Sequence, residues 1–206
     1  MKPTLCLVAF SMLISCGPPK KITLGEISLA RMPVGDQWTT VHSYKEKPYT
    51  GLIYVESSGP NGDFVASEKN TKEGILHGVS KDWYAEGILK EEKMYKDGSL
   101  ASLKKWSVNK KPTVDTTYDP THSKQHEMMG IEGWAVLSSK EWDTDGNLLE
   151  ELKQLSAPEL KEKEDGPKRI QAHSYKSHSK QWYPSGTVKS ENQFLTYYIQ
   201  TREGDN

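Results

Sequence analysis

Short runs of alternating apolar and polar residues fill most of this chain, and glycine-containing turns close them. Three segments align: SKDWYAEGILKEE from Ser80, SKEWDTDGNLLEE from Ser139, and SKQWYPSGTVKSE from Ser179. Each has Ser-Lys, one polar residue and Trp, then Gly four places after the Trp. An aliphatic residue follows two places after the Gly and a glutamate five places after it. The repeated positions are therefore Trp83, Gly87 and Leu89; Trp142, Gly146 and Leu148; and Trp182, Gly186 and Val188. Period-two alternation beside a glycine turn predicts a β-hairpin. Trp begins or ends a strand and packs on a neighbour. Leu89, Leu148 or Val188 points inward, with charged neighbours outward. Asp145-Gly146 suits a tight hairpin turn, because glycine accepts positive φ.

Weaker signals extend the pattern. Tyr95 to Leu100 repeats a turn, and Tyr49 to Tyr54 reads as an early strand ending near Ser58-Gly59. Ser123-Lys124-Gln125-His126 keeps the Ser-Lys frame, with Gly130 four after His126, but has His in place of Trp. The segment ITLGEISLARM predicts a strand or a short helix, and QFLTYYIQT a final strand before a frayed TREGDN tail. The tetrad His42-Ser43-Tyr44-Lys45 recurs at His173 to Lys176, as a duplicated edge strand would. One hairpin cannot bury its own face, so repeated hairpins stack. The expectation is a mostly β chain, an elongated antiparallel sheet of stacked hairpin repeats whose cohesion comes from neighbour contacts.

These residues resemble the MORN-like repeats of the YwqK-type family, often described as antitoxin repeat proteins. The resemblance rests on WYAEGILKEEKMYKDG, WYPSGTVKSE and the upstream His77-Gly78. It covers roughly 45–106 and 131–198, and it departs at 107–130, where no clear turn and strand continue. It departs again after Glu151, where LKQLSAPELKEKEDGP is charged and contains proline. Either break is an ordered insertion, a short helix or a loop. A stack of short strands offers an extended surface for binding a partner, and the family's name implies neutralisation of a toxin or an immunity role.

The N-terminus has a different pattern. Lys2 precedes an apolar stretch over residues 4 to 14, too short to span a bilayer as an ordinary helix. Its three-part form is that of a secretory signal. Leu13-Ile14-Ser15-Cys16 resembles a bacterial lipobox, after which GPPKK turns polar. The resemblance implies cleavage before Cys16, acylation of that cysteine, and firm attachment through several chains. Gly17 in place of aspartate favours an outer membrane if the host has one. The expected organisation is a signal over 1–15, a lipidated Cys16 with spacer and lead strand over 16–40, and hairpin repeats over 41–110. An insertion or irregular repeat follows at 111–130. Further repeats occupy 131–206, with a charged loop near 152–168.

Composition narrows the function. Hydrophobic residues make up 34%, low for a compact globule, while ten Tyr and six Trp suit a thin, half-exposed sheet. A formal net charge of -1 argues against a general nucleic-acid partner. Cys6 would leave with the signal and Cys16 would be acylated, so no disulfide would remain.

Candidate chemistry is sparse. His122 and His126, with Glu127, lack the order of a His-Glu-x-x-His site, and a solvated loop is the simpler reading. His173 and His178 are poorly matched for one helical face, and His77 ends a strand or packs beside Gly78. Adjacent glutamates Glu91-Glu92 and Glu150-Glu151 point to opposite faces of a strand, one of each pair being a solvated charge at a sheet edge. No nucleotide cradle or serine elbow is present. The expectation is a protein that is not an enzyme, with no cofactor, anchored by lipid in a bacterial envelope and binding a protein or cell-envelope partner. Tyr44, Tyr54, Tyr84, Tyr95, Tyr183 and Trp134 are candidate aromatic contacts.

Overall fold

The computed structural model describes residues 20–34, 37–119, 136–155, 159–165 and 168–202. Turn chemistry drives the chain back and forth through them. β1 (Lys21–Thr23), a 3-10 turn (Leu24–Glu26), β2 (Ile27–Val34), β3 (Gln37–Tyr44) and β4 (Lys47–Pro48) come first. Then follow β5 (Gly51–Gly59), β6 (Gly62–Lys72), β7 (Ile75–Trp83), β8 (Leu89–Lys96), β9 (Ser99–Trp106) and β10 (Pro112–Tyr118). β11 (Val136–Trp142), β12 (Leu148–Gln154), β13 (Glu159–Asp165), β14 (Lys168–Trp182) and β15 (Val188–Arg202) complete the order.

β5 to β12 form a continuous antiparallel meander within a 12-stranded sheet. β14 pairs with β12 through Ser177 to Gln181 and with β13 through Lys168 to Ser174, so β12 and β13 lie end to end along one side of it. β15 lines the other side of β14. The expected antiparallel sheet of stacked hairpins is therefore present. The charged loop expected near 152–168 is instead largely strand, because β14 offers a long partner for both β12 and β13. Likewise, 107–119 holds a turn and a full strand, β10, where no such pattern was legible.

The lead segment supplies both a strand and a turn. β1 runs parallel to β5, with Ile22 opposite Ile53. A parallel return needs a crossover, and the three-stranded sheet β2-β3-β4 provides it. The enclosed apolar cluster lies here, not at the repeated Trp positions: Ile22, Tyr49 and Ile53 are 1–3% exposed, with Leu24, Ile27 and Tyr44 packed against them. Full burial of each such side chain contributes about 1.5–3 kcal/mol.

Backbone bonds fasten the small sheet to the large one. The Gly74 N–H donates to the Tyr49 carbonyl at 2.8 Å, and His42 N–H donates to the Gly74 carbonyl at 2.8 Å. Gly74 has φ +81°, and a Cβ there would lie 2.6 Å from Val41 Cγ1 and 3.0 Å from the His42 carbonyl oxygen. Only glycine permits that approach. The repeated tetrad does not mark two edge strands. His42 to Tyr44 end β3, between β2 and β4, whereas 173–176 lie inside β14.

Candidate functional site

Four loops at one end of the meander share a hydrogen-bond pattern. In the loop 84–88, Tyr84 N–H donates to the Ile88 carbonyl and Gly87 N–H donates to the Tyr84 carbonyl, both at 2.9 Å. The loop 143–147 repeats this at 3.0 and 3.1 Å, and the loop 183–187 at 2.8 and 2.8 Å. The loop 107–111 repeats it as well, with Ser107 donating to Lys111 at 2.8 Å and Lys110 to Ser107 at 2.9 Å. The fourth residue has positive φ in each: 71° at Gly87, 60° at Lys110, 90° at Gly146 and 83° at Gly186. These are five-residue connections, so Asp145-Gly146 is not the tight two-residue turn its composition suggested. Such turns occur at the other end, where Glu73-Gly74 and Asp97-Gly98 both have positive φ.

Trp83, Trp142 and Trp182 therefore close β7, β11 and β14, and Leu89, Leu148 and Val188 open the next strands directly opposite them. All three indoles are half-buried. Leu89 and Leu148 are half-buried too, but Val188 is 45% exposed because β15 has no strand beyond it on the described sheet. The copy missed in the sequence is Trp106, which ends β9 opposite Pro112. Its signals are Trp four places before Lys110 and an acid, Asp115, five places after. The Ser-Lys frame at Ser123 to Gly130 lies outside the described residues, as do Cys16, His122, His126, Glu127 and Trp134.

Two residues before each Trp stands a lysine: Lys81, Lys104, Lys140 and Lys180. The register places an acid between successive lysines. Glu68 faces Lys81, which faces Glu92, which faces Lys104. Lys104 faces Asp115, Asp115 faces Lys140, and Lys140 faces Glu151. Glu151 faces Lys180, and Lys180 faces Glu191. The sign alternates at each strand the row crosses, from β6 through β12 to β14 and β15. Lys81–Glu92 close to 3.5 Å, Lys140–Glu151 to 3.3 Å and Lys180–Glu191 to 2.9 Å. Lys21 of β1 reaches Glu68 at 3.6 Å across β5, where Tyr54 faces Glu68 and the charge row ends. Hydrogen bonds from Lys180 and then His178 hold the Glu191 carboxyl below the ordinary range. The repeat's Lys and Glu are thus cross-strand partners, which explains their joint recurrence.

Strand alternation puts this charge row and the four Trp residues on one face. Lys180 Nζ lies 5.8 Å above the Trp182 ring, as that shared face requires. The other face is more enclosed, holding the buried Ile53, Ser80, Thr116 and Ser177. Glu91 belongs to it, between Lys93 and Lys105. Burial pushes the Glu91 carboxyl up, but bonding from Lys93 and the charge of Lys105 outweigh burial and hold it low. Glu91-Glu92 and Glu150-Glu151 do split between faces, but their strands are interior. The charges are paired ladder residues and not edge charges.

Neighbouring loops are also tied together. The Tyr84 hydroxyl donates to the Trp106 carbonyl at 3.1 Å, and Lys111 Nζ donates to the Asp145 carbonyl at 2.6 Å. Tyr183 is 50% exposed, whereas Tyr44, Tyr54, Tyr84 and Tyr95 are half-buried. His77 sits inside β7, 3.1 Å from Asp97, and His178 bonds Glu191 at 2.9 Å. Among the described residues no three His, Cys, Asp or Glu side chains converge as a metal site would require.

No curated protein and no solved structure matches the chain. The family described as MORN repeat variant matches residues 76–97, from β7 through the loop 84–88 to the Asp97 turn. The chain thus carries a MORN-like repeat over 76–97, and its loop hydrogen bonding recurs at 107–111, 143–147 and 183–187.

Proposed function

We propose that this protein is a non-catalytic lipoprotein, tethered through Cys16, whose repeat sheet binds a partner of the cell envelope. The observation that carries the reading is the register itself. Trp and Lys return on every second strand of one face, with an acid opposite each Lys on the strand between, and make a long repeating surface. Repetition of one chemistry across a sheet suits recognition of an extended partner, in which many shallow contacts add. The lipobox-like Leu13 to Cys16 supports an anchor, and the polar GPPKK that follows suits a spacer. The YwqK-type rhythm of the repeats accords with a binding role.

Crosslinking in intact cells, read by mass spectrometry, should recover one reproducible envelope partner. Labelling with a palmitate analogue should mark the wild type and spare Cys16→Ser, which should leave the membrane fraction. An unlabelled wild-type chain with no reproducible crosslink overturns the proposal.

A further inference from the structure

We propose that the tryptophan row is a platform for a linear, uncharged β-1,4-linked glycan, lying across the strands near the loop end of the open face. The inference rests on the binding role above and names the chemistry of the partner. Trp83, Trp106, Trp142 and Trp182 end every second strand at the same height. Two strand spacings separate neighbouring indoles by about 9.6 Å. That is the order of the two-sugar repeat of a β-1,4-linked chain, in which alternate rings present the same face. Aromatic rings offer a flat apolar surface to the C–H face of a sugar. The four tryptophans are half-buried, so part of each still meets solvent.

Electrostatics select against charged polymers. The neighbouring row alternates in sign, and Lys81–Glu92, Lys140–Glu151 and Lys180–Glu191 close at 2.9–3.5 Å, so the row presents no single-signed field to a polyanion. It still presents ammonium donors and carboxylate acceptors to hydroxyl groups.

The test uses the full chain without its lipid, titrated with chitohexaose and followed by tryptophan fluorescence and calorimetry. Saturable binding that changes little with salt is expected, with no binding to an α-linked glucan. Trp106→Ala and Trp142→Ala should each weaken binding by about tenfold, and Trp106→Tyr should restore part of it. Circular dichroism checks that each variant is folded. Where an alanine variant unfolds, the tyrosine variant and wild-type competition between the two glycans decide. Absence of saturable binding by the folded chain overturns the inference. So does equal binding of the α-glucan, or affinity that a polyanion shares and salt abolishes. Should crosslinking find an envelope partner regardless of the Trp variants, the binding role stands and the glycan assignment falls.

Discussion

Lys110 occupies a position that its three sister loops give to glycine. A left-handed non-glycine residue carries a cost of about 1–2 kcal/mol, from its Cβ against the following carbonyl. Lys110→Gly should recover part of that, against the greater chain entropy glycine brings to the unfolded state. The expected gain is up to about 1 kcal/mol in urea denaturation, with Gly87→Lys losing a similar amount. Unchanged stability in both would mean that the loops are not equivalent. The same residue shows why one repeat was illegible. A glycine announces positive φ in the sequence, but a lysine forced into it leaves no such mark. His42 behaves similarly. It was visible as one residue of a duplicated tetrad, yet its environment is set by Gly74, whose carbonyl lies 3.0 Å from its Nδ1. Burial holds the imidazole below its ordinary range, Lys69 adds to the effect, and the Gly74 bond opposes it. The folded state therefore disfavours the proton more than the unfolded chain does. This contribution is whole above about pH 6.5, the unfolded value, and is lost as pH falls toward the lower folded pKa. Denaturant midpoints at pH 7 and pH 5 should fall further apart for the wild type than for His42→Asn.

At the scale of strands, the alternating row makes a claim that isolated ion pairs do not. Exposed pairs of this kind contribute about 0.2–1 kcal/mol. In an isolated pair, exchanging the two charges restores the interaction. In the row, Lys140 also faces Asp115 and Glu151 also faces Lys180. The double exchange Lys140→Glu with Glu151→Lys therefore mends one contact and sets like charges against two others. Lys180→Glu with Glu191→Lys creates only one such conflict, with Glu151. Double-mutant cycles at low salt should show fuller recovery for the terminal exchange than for the central one. The difference should shrink in salt. Equal recovery would reduce the row to independent pairs. Lys81, Lys140 and Lys180 with Glu92, Glu151 and Glu191 were legible as a recurring Ser-Lys-x-Trp and a recurring glutamate, whereas Glu68, Lys104 and Asp115 carry no such signal. What the sequence did not disclose was their register, so the acids read as solvated edge charges when they stand opposite the lysines of the preceding strand. Strand polarity and the Trp-to-loop junctions were recoverable because period two and glycine are local signals. Pairing partners depend on loop length, and five-residue loops look much like two-residue ones in composition.

Among the described residues of the whole molecule, the enclosed apolar side chains concentrate at one end, with Val136 of β11 apart from them. Ile22, Tyr49 and Ile53 knit β1, β5 and the small sheet together, while the described strands from β8 onward rest mainly on half-buried contacts and cross-strand pairs. The crossover that builds this cluster was beyond reach of the sequence, since parallel return of a three-residue strand has no local signature. The hairpin repeats were within reach, since each repeat restates its own signals. In a sheet whose rungs touch only their neighbours, stability is a sum of rung and interface terms and openings can begin at an end. The two ends differ here. Opening at β1 or β5 must expose the cluster, whereas opening at β15 exposes Val188, Phe194 and Leu195, which are already 43–50% exposed. Native-state hydrogen exchange should therefore show a gradient, with the slowest amides in β5 to β7 and the fastest in the outer half of the pairing between β14 and β15. Replacing Ile53 by Ala, at a cost of about 2–5 kcal/mol, should flatten the gradient by loosening the anchored end while leaving β14 and β15 nearly unchanged. Uniform exchange across all rungs, lowered everywhere by that one substitution, would mean that the sheet opens as a single cooperative unit and that the cluster stabilises every repeat alike.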